Sequence, residues 1–190
     1  MLRAIKLAHR SREGESQITK ISSVGFPPVA TREVKLLILG SLPGQRSLER
    51  QQYYAQPRNA FWTLMGSLFG FDAGACYVDR LQSLNARGVA LWDVCASAHR
   101  PGSLDQRIEL STVRANDFER FFETYPDIAL ICFNGATAAS LYQRLVLPEL
   151  SVRAAAIASR RLPSTSPAHA TLTFAQKQEK WRSALAPFLD

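Results

Sequence analysis

The sequence is short of cysteine, histidine and long apolar runs, and each shortage removes a class of function. Its three cysteines, Cys76, Cys95 and Cys132, lie far apart with no C-x-x-C spacing. Three thiolates are too few for a four-cysteine iron–sulfur centre. The three histidines, His9, His99 and His169, bring no zinc-ligand spacing to them. No metal, no disulfide and no cofactor is expected. Cys132 falls inside an apolar run and is expected to pack as a small hydrophobe. No apolar run approaches the roughly 20 residues that span a bilayer. The stretch from Met1 to Lys20 has basic residues but no apolar core of signal-peptide length. A cytoplasmic protein without a membrane partner is therefore expected. Nucleotide fingerprints are missing as well. G-x-G-x-x-G does not occur, and Gln45 and Arg46 stand where a P-loop opening at Gly40 needs Gly and Lys.

Acidic residues are the minority charge: 16 Asp and Glu face 23 Lys and Arg, a net charge of +7. Residues 1–22 hold Arg3, Lys6, Arg10, Arg12 and Lys20 against two glutamates, which leaves +4 for the rest. Such a balance suits a polyanion, nucleic acid first, although many basic proteins bind none. The chain of 190 residues, 46% hydrophobic, has the size and composition of one globular domain. Residues 1–22, polar and without a period, read as a flexible extension. Residues 23–190 read as the single domain, expected to be a monomer.

What is present is a chain of strand and helix signals in alternation. Phe26-Pro27-Pro28-Val29 leads extended backbone towards an apolar strand over 34–39, closed by Gly40. A helix is predicted from Asn59 to Phe69, with Gly70 to end it, and another from Cys76 to Ala86. The second strand is 88–94. Asn116 is placed to cap a helix through Phe118, Phe121 and Phe122 that stops before Pro126. A third strand over 128–133 precedes a helix at 136–146, and a weaker strand is expected at 154–159. A helix from Thr173 to Leu185 closes the chain. This order predicts an α/β fold: a three-layer α/β/α sandwich around a short, mostly parallel four-stranded sheet.

Ligands of such sheets sit beyond the carboxyl ends of the strands, and the candidate residues cluster there. Gly40-Ser41-Leu42-Pro43-Gly44 is a sharp turn after the first strand, a weak motif on its own. Asn59 is either a helix cap or a ligand group. Tyr53 and Tyr54 are either core or, in a loop at a strand end, able to stack on a base. Phe61 and Trp62 belong to an apolar helix face. Asp93 and Asn134 end the second and third strands. Pro163-Ser164-Thr165-Ser166-Pro167 is stiff and hydroxyl-rich, either a rigid turn or a loop suited to gripping phosphates.

Together these stretches resemble the uracil-DNA glycosylase superfamily, and within it the hypoxanthine/uracil (deoxyinosine) DNA glycosylases. The matching segments are Phe26–Val29, Leu36–Gly44, Gln52–Trp62, Leu91–Ile108, Phe133–Ala138 and Leu162–Ala168. They run in order over nearly the whole chain after residue 22. The resemblance implies a monofunctional, cofactor-free hydrolase of base excision repair. Such an enzyme flips a deaminated base, uracil or hypoxanthine, out of DNA and hydrolyses its N-glycosidic bond.

The resemblance also implies roles. Relatives specific for mismatched uracil carry an Asn at the place of Leu42, which cannot orient a water. In the hypoxanthine branch an Asn of the Pro-x-Asn-x-Phe-Trp stretch is implicated instead, here Asn59. Tyr54 falls where relatives stack an aromatic on the flipped base. Asp93 falls where uracil-removing relatives read the base edge with Asn; an ionised Asp accepts only, and so selects a base with an N–H. Ser41, Leu42 and Asn134 complete the base site. Arg58 and the loop Pro163, Ser164, Thr165 and Ser166 are the expected DNA contacts. Leu162 replaces the motif-two His of the best-known uracil enzymes. A non-catalytic DNA-binding protein of the same fold is the competing reading, resting on Leu42 and the charge.

Overall fold

The computed structural model describes residues 22–189, and the extension expected over 1–22 falls outside them but for Ser22. The chain runs β1 (Ser23–Val24), β2 (Leu36–Gly40), α1 (Gln45–Arg50), α2 (Phe61–Phe69), α3 (Tyr77–Asn85), β3 (Val89–Asp93) and β4 (Cys95–Ala98). It continues through β5 (Arg114–Ala115), α4 (Phe118–Thr124), β6 (Leu130–Asn134), α5 (Ala136–Leu145), α6 (Val152–Ala155), β7 (Ala158–Leu162) and α7 (Phe174–Leu185).

Side chains of a strand alternate between its two faces, and a strand apolar on both faces must be covered on both. Leu37 and Leu39 of β2 pack with Ala90, Trp92, Ile131 and Phe133 against the aromatics of α4 and the inner face of α5. Leu36 and Ile38 pack the other way, with Leu91 and Cys132, against α2 and against Trp181 and Leu185 of α7. The sheet has the order β3-β2-β6-β7 with every pair parallel. This is the expected three-layer α/β/α architecture. Cys132 is fully buried, as a small hydrophobe would be. No helix among the described residues is long and apolar enough to cross a membrane.

Three local expectations are corrected. The fourth strand is Ala158–Leu162, not 154–159, because Ser151 caps a helical turn, accepting from the Ala154 N–H, and alanines favour helix there. Strand β7 is an edge, so exposed Arg160 and Arg161 are tolerated. The cap of α4 is Asp117, which accepts from the Arg120 N–H at 3.1 Å. Asn116 instead donates to the Asp93 carbonyl at 2.8 Å. A small antiparallel sheet, β1-β4-β5, and helix α1 lacked a periodic signal because each is too short to show one. Val29 does not simply lead into β2; it exchanges backbone hydrogen bonds of 2.9 Å with Leu91 of β3.

Candidate active site

Parallel, in-register pairing brings the strand ends level, with Gly40 opposite Asp93 and Asn134 opposite Leu162. Beyond them opens a cleft of about 960 Å³, lined by Gly40–Gly44, Tyr54, Arg58, Asn59, Asp93, Asn134 and the 161–169 stretch. Every residue expected at the site therefore fronts one cavity. They are not equivalent within it.

Tyr54 and Asp93 make its inner wall. Tyr54 has φ of +55°, a left-handed conformation costly for a bulky residue. Its ring stacks on Phe61 at 3.7 Å and 16°, and Phe61 is wholly buried beneath it. Burial and the neighbouring Asp93 push the phenol pKa well up. Asn134 lies close enough to oppose that shift, yet the hydroxyl has no hydrogen bond of ordinary geometry. Asp93 is 4% exposed and its Oδ2 is buried without a partner. A Cβ on Gly40 would lie 2.2 Å from Asp93 Oδ1, so only glycine lets the carboxylate sit there. Burial first, and the charge of Asp105 second, push the Asp93 carboxyl up to about 7, while Arg100 pulls it down. Asp93 is thus about half ionised at neutral pH and mostly ionised only above it. Tyr54 and Asp93 thus both line the cleft, and each carries a buried polar atom that no protein group satisfies.

Asn59 holds a cap-like bond without being the cap. Its Oδ1 accepts from the Phe61 N–H at 3.0 Å, whereas Ala60 is the residue that opens α2. That bond fixes the side chain. The Ala60 N–H donates to the Thr165 carbonyl at 3.0 Å, tying the Asn59 loop to the loop after β7. Asn134 then clasps the same loop from below: its Nδ2 donates to Thr165 Oγ1 and its Oδ1 accepts from the Thr165 N–H, both at 2.9 Å. Thr165 is buried with its hydroxyl engaged, so its contribution is to shape the loop. Ser164 and Ser166 accept from the N–H groups of Ser166 and Ala168, forming successive tight turns. Gly135, at φ +109°, lets Ser164 approach: a Cβ there would meet the Ser164 Cβ at 3.0 Å. Arg58 is exposed at the rim. Ser41 and Leu42 are buried beside the cleft.

A family model described as the uracil DNA glycosylase superfamily matches residues 27–189. The chain belongs to that superfamily. It is a DNA glycosylase. A "Hypoxanthine DNA glycosylase" of Methanosarcina barkeri is 40% identical over 112 residues, 58% of this chain and 70% of that one. One of the same name from Methanosarcina acetivorans is 38% identical over 136 residues, 67% of this chain and 85% of the other. A candidate uracil DNA glycosylase of Methanosarcina acetivorans, solved by NMR, superposes with a TM-score of 0.74 at 33% identity. That match covers 88% of this chain and 99% of the other.

This glycosylase also uses residues that periodicity does not reveal. Arg100, 5% exposed, donates through Nη1 to the Leu42 carbonyl at 3.0 Å and through Nη2 to that of Pro43. It also pairs with Asp105 at 3.5 Å. Ser103 Oγ accepts from the Gln45 N–H at 3.0 Å. The loop after β4 therefore braces the turn after β2. Helix α7 braces the loop after β7: Trp181 Nε1 donates to the Pro163 carbonyl at 2.9 Å and buried Lys177 to that of His169 at 2.7 Å. Desolvation lowers the Lys177 pKa. An arginine beside Pro101-Gly102 and a lysine in an otherwise apolar helix stripe were the available signals. Both residue types are so often solvated that neither stands out.

Proposed function

We propose that this glycosylase removes deaminated bases, hypoxanthine first, from DNA after flipping them into the cleft. The observation that carries this reading is the inner wall. A tyrosine backed by a buried phenylalanine offers a flat platform, and an unpartnered carboxylate oxygen stands beside it. A flipped base would stack on Tyr54 and donate its N1–H (N3–H in uracil) to ionised Asp93. The names of the two Methanosarcina relatives favour hypoxanthine. Arg46, Arg58, Arg161 and Lys180 line the cleft and would meet phosphates, with Ser164 and Ser166 presented on the tight loop between them. Binding is then steeply salt-dependent.

Glycosidic cleavage passes through an oxocarbenium-like state. One lone pair of the Asn59 oxygen is taken by the Phe61 N–H, which leaves the other and the NH2 group to direct at the water or the sugar. Its role is to position. The reading is tested by alkali-revealed strand cleavage of duplexes carrying one hypoxanthine or one uracil. Wild type is expected to cleave at hypoxanthine. Asn59→Ala is expected to lose roughly 100- to 1,000-fold in rate while holding duplex DNA as before. Leu42 removes the motif-one Asn that mismatched-uracil relatives carry; salt-dependent binding without release of either base would overturn the choice of hypoxanthine and uracil as substrates.

A further inference from the structure

The site so far described has a platform, an edge reader and a positioning amide, but nothing to accept the proton of the attacking water. Leu42 carries no polar group, and an amide is not a base. Among the described residues, Asp93 and Asp105 are the carboxylates that line the cleft. Asp93 stands at the inner wall, against Gly40 and close to Tyr54, where the base edge engages it. Asp105 is different. It opens a single 3-10 turn, Asp105–Arg107, and is only half-buried. Its carboxylate pairs with Arg100 at 3.5 Å, and the Ser41 hydroxyl lies near enough to lower its pKa. Ser41 directly precedes Leu42, so Asp105 stands beside the turn whose own side chain is inert. Two carboxylates in one cleft with different surroundings are suited to different tasks.

We propose that Asp105 is the catalytic base of this glycosylase, taking the proton of the attacking water. The inference rests on the glycosylase reading above. The water oxygen bonds to C1′ of the deoxyribose, and the C1′–N9 bond of the hypoxanthine nucleotide breaks with its electron pair on the base. The water proton passes to the Asp105 carboxylate, which returns it to solvent. The departing base takes a proton from solvent. The products are the free base and an abasic deoxyribose bearing a C1′ hydroxyl. While the sugar is cationic, the same carboxylate stabilises it by charge. Burial raises the Asp105 pKa, which makes the carboxylate a stronger base, and the Ser41 and Arg100 contacts limit that rise. His169 also lines the cleft and is the rival base; its Nδ1 lies 3.4 Å from Thr171 Oγ1.

The test is single-turnover hypoxanthine release by wild type, Asp105→Asn and His169→Asn. It is paired with binding to duplexes bearing a neutral tetrahydrofuran or a cationic pyrrolidine in place of the nucleotide. Asp105→Asn is expected to lose roughly 100-fold or more in rate and to bind the tetrahydrofuran duplex as wild type does. It should also lose most of the preference for pyrrolidine. Its rate profile should inflect at lower pH than wild type, because the charge at 105 is one cause of the raised Asp93 pKa. A wild-type rate, or a rate loss matched by lost tetrahydrofuran binding, overturns the proposal, as does a loss that falls on His169→Asn alone. If wild type releases no hypoxanthine, the substrate reading fails. A pyrrolidine preference that Asp105→Asn abolishes would still place the carboxylate at the sugar.

Discussion

Replacing Asp93 with asparagine is expected to stabilise the protein by about 2–4 kcal/mol at pH 8, while weakening its grip on the base. The carboxyl titrates at about 7 in the fold, against 3.8 for the free side chain. Well below pH 3.8 it is protonated in both states and costs nothing. Between pH 4 and 7 the unfolded chain ionises and the fold does not, so stability drains away as pH rises. Above pH 7 the whole cost is present, on the order of 4 kcal/mol at roughly 1.4 kcal/mol per pH unit. Asparagine does not titrate and avoids that loss, less whatever its own NH2 group lacks in partners. Urea unfolding of both proteins at pH 5 and pH 8 checks this. The variant's advantage should widen with pH, and parallel curves would mean an ordinary carboxyl.

The same titration should appear in catalysis. If ionised Asp93 accepts the N–H of the base, kcat/KM for hypoxanthine rises with pH through about 7, the value in the free enzyme. An N–H donor in the complex favours the ionised form, so the inflection of kcat lies lower. Asp93→Asn should lose that inflection in both. A carboxylate buried at such cost, opposite a strained tyrosine, is what a binding site looks like when it is organised for a ligand rather than for stability.

How much of this was legible in the sequence depends on the length over which each feature repeats. Leu36 to Leu39 announces a strand buried on both faces, and Phe61 to Phe69 announces the helix that covers it. Both signals are strong because several residues agree. The strand ends announce Gly40, Asp93 and Asn134 for the same reason. The last strand is hard to place from sequence because alanines at 154–156 carry no strand signal and the real strand, at an edge, is written in arginines. Roles were harder than positions. Asn134 is at the expected strand end, but both ends of its amide are engaged with Thr165. Asn59 could be read as a cap, and its oxygen does accept a helix N–H, one residue outside the position a cap occupies. Arg100 and Asp105 act across the fold on a turn 57 or more residues earlier in the chain. No local pattern encodes such a contact.

The largest loss of stability from a single change in the site is expected at Arg100. Its guanidinium reaches the carbonyls of Leu42 and Pro43 and the carboxylate of Asp105 at once. Arg100→Met keeps most of the aliphatic length but leaves two carbonyls of a buried turn without donors. At about 1–3 kcal/mol for each orphaned group, partly offset by water entering from the cleft, the cost is about 3 kcal/mol. Little of it comes from the ion pair, because Asp105 is half-exposed and water can solvate it. Arg100→Lys should recover less than half, since one ammonium cannot span the fork that the guanidinium fills. Denaturant midpoints of the three proteins measure this. Activity should fall further than stability in both variants, because the turn carrying Ser41 and the carboxylate of Asp105 lose their common anchor. Full activity in Arg100→Lys would mean that the turn holds its shape without the fork, and that bracing by Ser103 alone is enough.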